Sequence, residues 1–195
     1  MRLKLALDTN CIIDLEENRP NAANVRALIS NWKEGRVDLS VVAVSASENQ
    51  MGGTTSRDFS NFATKLGKVG LAGVHHLLPL AICDVFYWDH ALWPSDKMVR
   101  LESQIRAILF PTMQATPPTN IHENSVWRNQ LCDVLVAWSC IHHKWDCLVT
   151  SDNNFHDHKH ELQKLGLRQI LCPGDAVRLC TLEQSALGGP PNRCR

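Results

Sequence analysis

Short apolar runs alternate with longer amphipathic segments along the chain. The stretch LKLAL at residues 3–7 has an apolar residue at every second position, as expected of a strand, and apolar residues recur at helical spacing over residues 22–32. The next stretch, VDLSVVAVSASE, is apolar over too long a run for a half-exposed strand. It therefore predicts a strand buried on both faces that ends near Glu48.

The same alternation continues through the rest of the chain. The predicted elements are, in order, a helix over 58–66, a strand around 82–88, a helix over 98–109, a helix over about 126–143, the strand CLVT, a helix over 155–165, the strand RQILC and a helix that starts at PGDAV. Pro111 closes the helix over 98–109 because proline cannot continue it. Strands that alternate with helices predict an α/β fold with a mainly parallel central sheet.

The length of 195 residues suits one domain with a substantial core. We expect a single domain over residues 1–183, with a partly helical insertion at about 52–124 and a flexible tail over 184–195, where Gly-Gly-Pro-Pro cannot hold a helix or a central strand. Hydrophobic residues make up 44% and charged residues 21%, which is typical of a globular protein. Because the formal net charge is zero, nucleic-acid binding would need a local basic patch or metal ions.

Two further features concern the location of the protein. No stretch approaches the roughly 18 continuous apolar residues of a membrane span, and the amino terminus reaches Asp8 before the apolar region of a signal peptide has formed. The eight cysteines include no Cys-x-x-Cys pair, which favours reduced thiols over a disulfide framework or a structural zinc site. We therefore expect a cytoplasmic protein that does not associate with a membrane.

Four acidic residues are predicted to meet at one edge of the sheet. Ligands of an open parallel sheet bind beyond the carboxyl ends of its strands, and Asp8, Glu48 and Asp152 each follow a predicted strand. The helix before CLVT must run antiparallel to that strand, so its early part, which carries Asp133, lies at the same edge. The four carboxylates are therefore expected to converge.

Carboxylates that cluster in this way repel one another unless a cation neutralises them. Oxygen ligands suit Mg²⁺ or Mn²⁺, and such ions stabilise charge on a phosphodiester and lower the pKa of an attacking water. Each acid also has an ordinary explanation, because Asp8 and Asp152 could be helix caps or turn residues, and Glu48 and Asp133 could be favourable charges near helix starts. Their conjunction at one edge favours a metal-dependent phosphodiesterase.

Four motifs of the chain resemble those of a known protein family. The motifs LALDTN, an acid after the second strand, CDVLVAW on a helix and LVTSDNNF at the next strand are similar to those of the PIN-domain nucleases, the fold that VapC-like toxins share. The resemblance covers roughly residues 1–50 and 125–180. It implies a three-layer α/β/α sandwich and a Mg²⁺ or Mn²⁺ site made by four acids, supported by three polar residues. The acids would be Asp8, Glu48, Asp133 and Asp152, and the polar residues Asn10, Thr150 and Asn154.

The function implied by this resemblance is endoribonuclease activity on single-stranded RNA, in the manner of a toxin. It leaves open a protein antitoxin and a homodimer as partners. Two alternatives remain, a catalytically idle PIN-fold scaffold that binds RNA or protein, and a DNA-directed nuclease of similar fold.

Two other groups of residues have ordinary explanations. Alternate spacing on a predicted helix scatters the rings of His156, His158 and His160, so a solvated face is favoured over a metal site. Three cations of the insertion could form a phosphate-binding patch, although surface helices commonly carry such charges. These cations are Arg57, Lys65 and Lys68.

Overall fold

The computed structural model describes residues 2–47, 59–82, 85, 89–118 and 124–187. Its central sheet has five strands in the order β3-β2-β1-β4-β5, and each neighbouring pair is parallel. The strands are β1 (Leu3–Leu7), β2 (Val37–Val42), β3 (His75–Leu77), β4 (Cys147–Val149) and β5 (Gln169–Leu171). Helices cover both faces, so the fold is the predicted three-layer α/β/α sandwich.

The helices connect successive strands across the two faces of the sheet. They are α1 (Thr9–Glu16), α2 (Ala22–Lys33), α3 (Phe59–Lys68), α4 (Asp96–Leu109), α5 (Ser125–His142), α6 (Asn153–Asp157), α7 (Lys159–Lys164) and α8 (Pro173–Leu187), with a 3₁₀ helix at Ala43–Ser47. None of the described helices is long and apolar enough to cross a lipid bilayer.

Side chains that alternate along the strands separate the core into two layers. Leu5 and Leu7 point to the layer that contains α1, α2, α3 and α8, whereas Ala6 and Leu148 point to the layer that contains α4 and α5. Both faces of the parallel strands are therefore buried, which explains why β1 and β2 consist mainly of apolar residues.

The main helices of the second half were predicted correctly. The helices expected over 98–109 and 126–143 are α4 and α5. The helix expected over 155–165 is divided at His158 into α6 and α7. The last helix extends to Leu187, so residues 184–187 of the expected tail are helical, and 188–195 lie outside the described residues.

Two predicted strands differ from the structure. Strand β2 ends at Val42, and residues Ala43–Ser47 form the 3₁₀ helix. The strand is therefore shorter than predicted, because it was expected to end near Glu48. Val42 and Val44 are buried in the same core layer, and burial of this kind makes a sequence apolar whether it is a strand or a helical turn.

The second difference lies in the segment expected to be an insertion. Of the strand expected over 82–88, the described residues Ile82 and Val85 are not in a strand, and the others lie outside the described residues. The strand of this segment is β3, which pairs with β2 and extends the sheet. The described residues of segment 52–124 therefore include the edge strand β3 and the helices α3 and α4.

Candidate active site

The carboxyl ends of two adjacent strands bring Asp8 and Asp152 to the same edge of the sheet. Strand β1 pairs in parallel with β4, with Leu7 opposite Val149, so the two strands end at the same level. The backbone N–H of Asp8 donates to the carbonyl of Val149 at 3.0 Å, which fixes the first residue after β1 against β4. The shared edge expected for the two acids is therefore observed.

The Asp8 carboxylate lies inside a network of hydrogen-bond donors. It is 1% exposed. Its Oδ1 accepts from the backbone N–H of Thr9 at 2.7 Å, which caps α1. Its Oδ2 accepts from the Thr150 hydroxyl at 2.6 Å and from the Asn10 side-chain amide at 3.2 Å. The two polar residues expected to accompany this acid, Asn10 and Thr150, therefore contact it directly.

Burial raises the pKa of Asp8 to about 6, although hydrogen bonds from Thr150, Thr9 and Asn10 oppose that change. The negative charge of Asp152 raises the pKa of Asp8 further. The two carboxylates are therefore close enough for the charge of one to affect the ionisation of the other. A cation near them would favour the charged form of both acids.

Asp152 is held by the same hydroxyl that holds Asp8. Its backbone N–H donates to Thr150 Oγ1 at 3.0 Å, and its Oδ1 accepts from the backbone N–H of Asn154 at 2.8 Å, which caps α6. No hydrogen-bond donor in the described part of the chain reaches Asp152 Oδ2. That oxygen is therefore available to a ligand, whereas the side-chain amide of Asn154 points to α4 and donates to the carbonyl of Leu109 at 3.4 Å.

Asp133 lies half-buried in the middle of α5. The thiol of its neighbour Cys132 is 3.9 Å from the carbonyl oxygen of Val44, in the 3₁₀ helix that follows β2. Since this 3₁₀ helix begins where β2 ends, the turn of α5 that carries Asp133 is at the carboxyl edge of the sheet. Within the ranges that the structure describes, no group of three or more His, Cys, Asp or Glu side chains could hold a metal ion. Glu48 lies outside the described residues.

A buried acid that the motif did not include lies next to the site. Asp14, on α1, is 5% exposed, and burial raises its pKa, whereas the charge of Arg19 and hydrogen bonds with Asn21 and Ser151 lower it. Asn21 also donates to the Ser151 hydroxyl at 3.0 Å. These contacts connect Ser151, the residue before Asp152, to α1 and to the start of α2. An acid inside the apolar stretch CIIDL was a sequence signal that could have identified Asp14.

A buried cation was also missed. Arg128 is 4% exposed and precedes Cys132 by one helical turn, toward the end of α5 that begins at the carboxyl edge. A sequence signal for its burial was the helical spacing between Arg128 and the buried positions Leu131, Cys132 and Leu135.

The structure confirms only part of what was expected of the three histidines and of the cations of the insertion. His156 and His158 are half-buried rather than solvated, because their rings lie 3.1 Å from the Thr150 carbonyl and 2.9 Å from the Asn154 carbonyl. His160 is exposed, as expected. Lys65 forms an ion pair with Glu16 at 2.8 Å. Lys68 is exposed, and Arg57 lies outside the described residues.

No protein-family model matches this chain, and no match to a curated protein was found either. Sequence similarity therefore assigns no family, and the function has to be inferred from the chemistry of the carboxyl edge.

Proposed function

We propose that the protein is a metal-dependent endoribonuclease of PIN-domain architecture that hydrolyses phosphodiester bonds in single-stranded RNA with Mg²⁺ or Mn²⁺. The observation that carries the proposal is the buried Asp8 carboxylate, which burial and the nearby Asp152 charge hold in an unfavourable ionised state above a pKa of about 6. An arrangement that costs stability is typical of a site kept for chemistry. A structural cap has no need of a second, repelling carboxylate.

The donor set fits a hard divalent cation. Mg²⁺ is usually held by one or two carboxylates, with waters and substrate phosphates completing its coordination. Asp8 and Asp152 would supply these carboxylates, and Asp152 Oδ2 accepts no hydrogen bond from the described residues. Asp133 and Glu48 are proposed as the further acids of the site.

A bound divalent ion would supply Lewis acidity and lower the pKa of an attacking water. The residues of the chain position its ligands. The Thr150 hydroxyl donates to Asp8 and accepts from the backbone N–H of Asp152, so one side chain sets the spacing of both acids. Asn10 limits the rotation of the Asp8 carboxylate through its amide hydrogen bond.

The proposed setting follows from the same chemistry. The described cysteines form no disulfide with one another; they are Cys11, Cys132, Cys140, Cys147, Cys172 and Cys180. Reduced thiols are usual in the cytoplasm, where we place the enzyme, its RNA substrate and any protein antitoxin. A homodimer is compatible with this proposal.

A second candidate is a catalytically idle scaffold that binds RNA or protein. It is favoured by one specific observation, namely that the Asp8 and Asp152 side chains cap α1 and α6, which gives both acids a structural role without a cation. Such a scaffold would keep the fold and the Asp8 cap without holding a cation.

Cleavage assays separate the two candidates. Purified protein is incubated with labelled single-stranded RNA and DNA in Mg²⁺, in Mn²⁺ or with a chelator. The nuclease requires metal-dependent cutting that Asp8→Asn abolishes and that Asp38→Asn retains, since Asp38 is a half-buried acid in the amino half of β2, away from the carboxyl edge. RNA and DNA that stay intact under every condition would support the scaffold, and preferential cutting of DNA would redirect the proposal to a DNA-directed nuclease.

A further inference from the structure

A cavity of about 550 Å³ opens between α4 and the carboxyl-terminal end of α5. Its volume lies in the range of small-molecule binding sites. Apolar side chains supply most of its wall, and those that matter here are Met98, Leu101, Ile141 and Leu165.

The cavity lies at the opposite edge of the sheet from Asp8. Helix α5 ends just before β4 begins, and the backbone N–H of Asp146, next to β4, donates to the carbonyl of Lys4 in β1 at 3.2 Å. Helix α4 starts at this amino edge, where the Trp138 indole donates to the Met98 carbonyl at 3.0 Å. It ends near α6, and 14 residues of helix span about 20 Å. The cavity is therefore separate from the candidate active site.

Three cations line the cavity and none is neutralised by the described residues. Lys97 and Arg100 come from α4, and Lys144 from the turn after α5. In the parts of the chain that the structure describes, these side chains form no ion pair or hydrogen bond, and no acidic side chain lines the cavity. By contrast, Arg106 on the same helix is paired with Glu102 at 2.9 Å.

The backbone and an aromatic pair shape the wall near these cations. Lys144 has a φ of 55°, in the left-handed region that disfavours a side chain, and its N–H donates to the Ile141 carbonyl at 3.1 Å. The ring of His142, which lines the cavity, stacks on Trp138 with centroids 4.4 Å apart and planes at 11°. Burial, His143 and Lys97 lower the pKa of His142, so its ring is largely neutral at pH 7 and provides a flat surface rather than a fourth charge.

We propose that this cavity binds a small organic phosphate, with the phosphate held by Lys97, Arg100 and Lys144 and the organic body packed against the apolar wall and the His142 ring. Three cations that line one cavity match a dianionic phosphate better than a single carboxylate. The apolar wall distinguishes such a ligand from inorganic phosphate, since a free anion would leave that wall in water. The body is aromatic in a nucleotide and aliphatic in an alkyl phosphate, and both sources share this chemistry.

Isothermal titration calorimetry on the full chain, with a chelator present, tests the proposal. The probes are adenosine 5′-monophosphate, octyl phosphate below its micelle-forming concentration, adenosine and inorganic phosphate. We expect one organic phosphate to bind per chain, about tenfold or more tightly than either adenosine or inorganic phosphate. A preference between the two organic phosphates identifies the body as aromatic or aliphatic.

Matched variants locate the binding. The triple variant Lys97→Ala, Arg100→Ala, Lys144→Ala should weaken binding about a hundredfold, and Arg100→Ala alone should give a smaller loss in the same direction. Lys68→Ala removes the same charge from an exposed position on α3, in the other helical layer, and should leave binding unchanged. Asp8→Asn should also bind like the parent, because the cavity does not include the carboxyl edge.

Three results would overturn the proposal. They are the absence of binding by both organic phosphates at millimolar concentration, equal binding of inorganic phosphate, and binding that survives the triple substitution in a variant with parental circular dichroism. All three cations are exposed, so the triple variant is expected to fold.

Discussion

At the carboxyl edge of the sheet the Asp8 carboxylate is buried and hydrogen-bonded, whereas the three cations of the amino-edge cavity are exposed and have no ion-pair or hydrogen-bond partner among the described residues. Asp8 accepts three hydrogen bonds and is held beside a like charge. Lys97, Arg100 and Lys144 are solvated cations around an apolar wall. A buried charge affects folding stability much more than an exposed one. Changes at the carboxyl edge should therefore alter the free energy of unfolding, whereas changes at the cavity should alter mainly ligand binding.

The largest expected effect is the pH dependence contributed by Asp8 in metal-free protein. Its folded-state pKa of about 6 lies above the unfolded value of 3.8, so the folded state binds more protons between these values. Stability from this group is complete below pH 3.8 and is lost as the pH rises through 6. The loss corresponds to about 3 kcal/mol.

Urea unfolding of wild type and Asp8→Asn between pH 4 and 7.5 measures this contribution. The free energy of unfolding of the wild type should fall relative to the variant as the pH rises. The matched control is Asp38→Asn, because Asp38 is a half-buried acid that pairs with Arg2 at 3.6 Å. Wild-type and Asp8→Asn curves that run parallel would mean that Asp8 does not titrate as a buried acid.

The second effect is stabilisation by metal at the carboxyl edge. Mn²⁺ or Mg²⁺ at a hundredfold excess over its dissociation constant should stabilise the folded state by about 2.7 kcal/mol through mass action. Asp152→Asn and Asp133→Asn should each reduce the rise in melting temperature and slightly stabilise the metal-free protein by removing repulsion. A wild type that does not respond to either ion, with both variants destabilised, would identify these acids as structural.

The third effect concerns the hydroxyl that connects the two acids. Thr150→Val keeps the shape of a fully buried side chain but removes the donor to Asp8 and the acceptor for the Asp152 N–H. We expect a loss of about 2 kcal/mol in chemical denaturation and a parallel loss of cleavage. The control is Thr64→Val, an exposed threonine that donates to the Ser60 carbonyl. Full activity in Thr150→Val would show that the spacing of the acids does not depend on this hydroxyl.

The smallest effect is expected at the cavity. The triple substitution of Lys97, Arg100 and Lys144 by alanine should change the free energy of unfolding by less than about 0.5 kcal/mol per site without ligand, because exposed cations contribute little to folding. Thermal denaturation of parent and variant at equal ionic strength measures the change. A large destabilisation would mean that these side chains support the packing of α4 on α5, and the contrast between the two edges would then fail.

Local patterns predicted much of the fold. The helical periodicity of α4 and α5 and the apolar run of β4 are properties of neighbouring residues, and the structure confirms these elements. The edge shared by Asp8 and Asp152 also followed from the chain, because strand direction in a parallel α/β fold decides which ends of the strands meet.

Contacts between distant segments could not be predicted from local patterns. The end of β2 at Val42 was missed because Val42 and Val44 are equally buried, and periodicity does not distinguish a buried strand from a buried turn. The sequence predicted a solvated His156 ring, because helical spacing does not reveal that its Nε2 atom lies 3.1 Å from the Thr150 carbonyl oxygen.

The sequence alone determined the alternation of strands and helices and the direction in which each acid-bearing strand runs, since both depend on residues close together in the chain. Tertiary structure alone decided that Thr150 connects Asp8 to Asp152 and that Met98 and Leu165 line the same cavity. The physical reason is that burial and spacing depend on packing between segments far apart in the chain. That packing also sets the pKa of Asp8, which a carboxylate in water would not share.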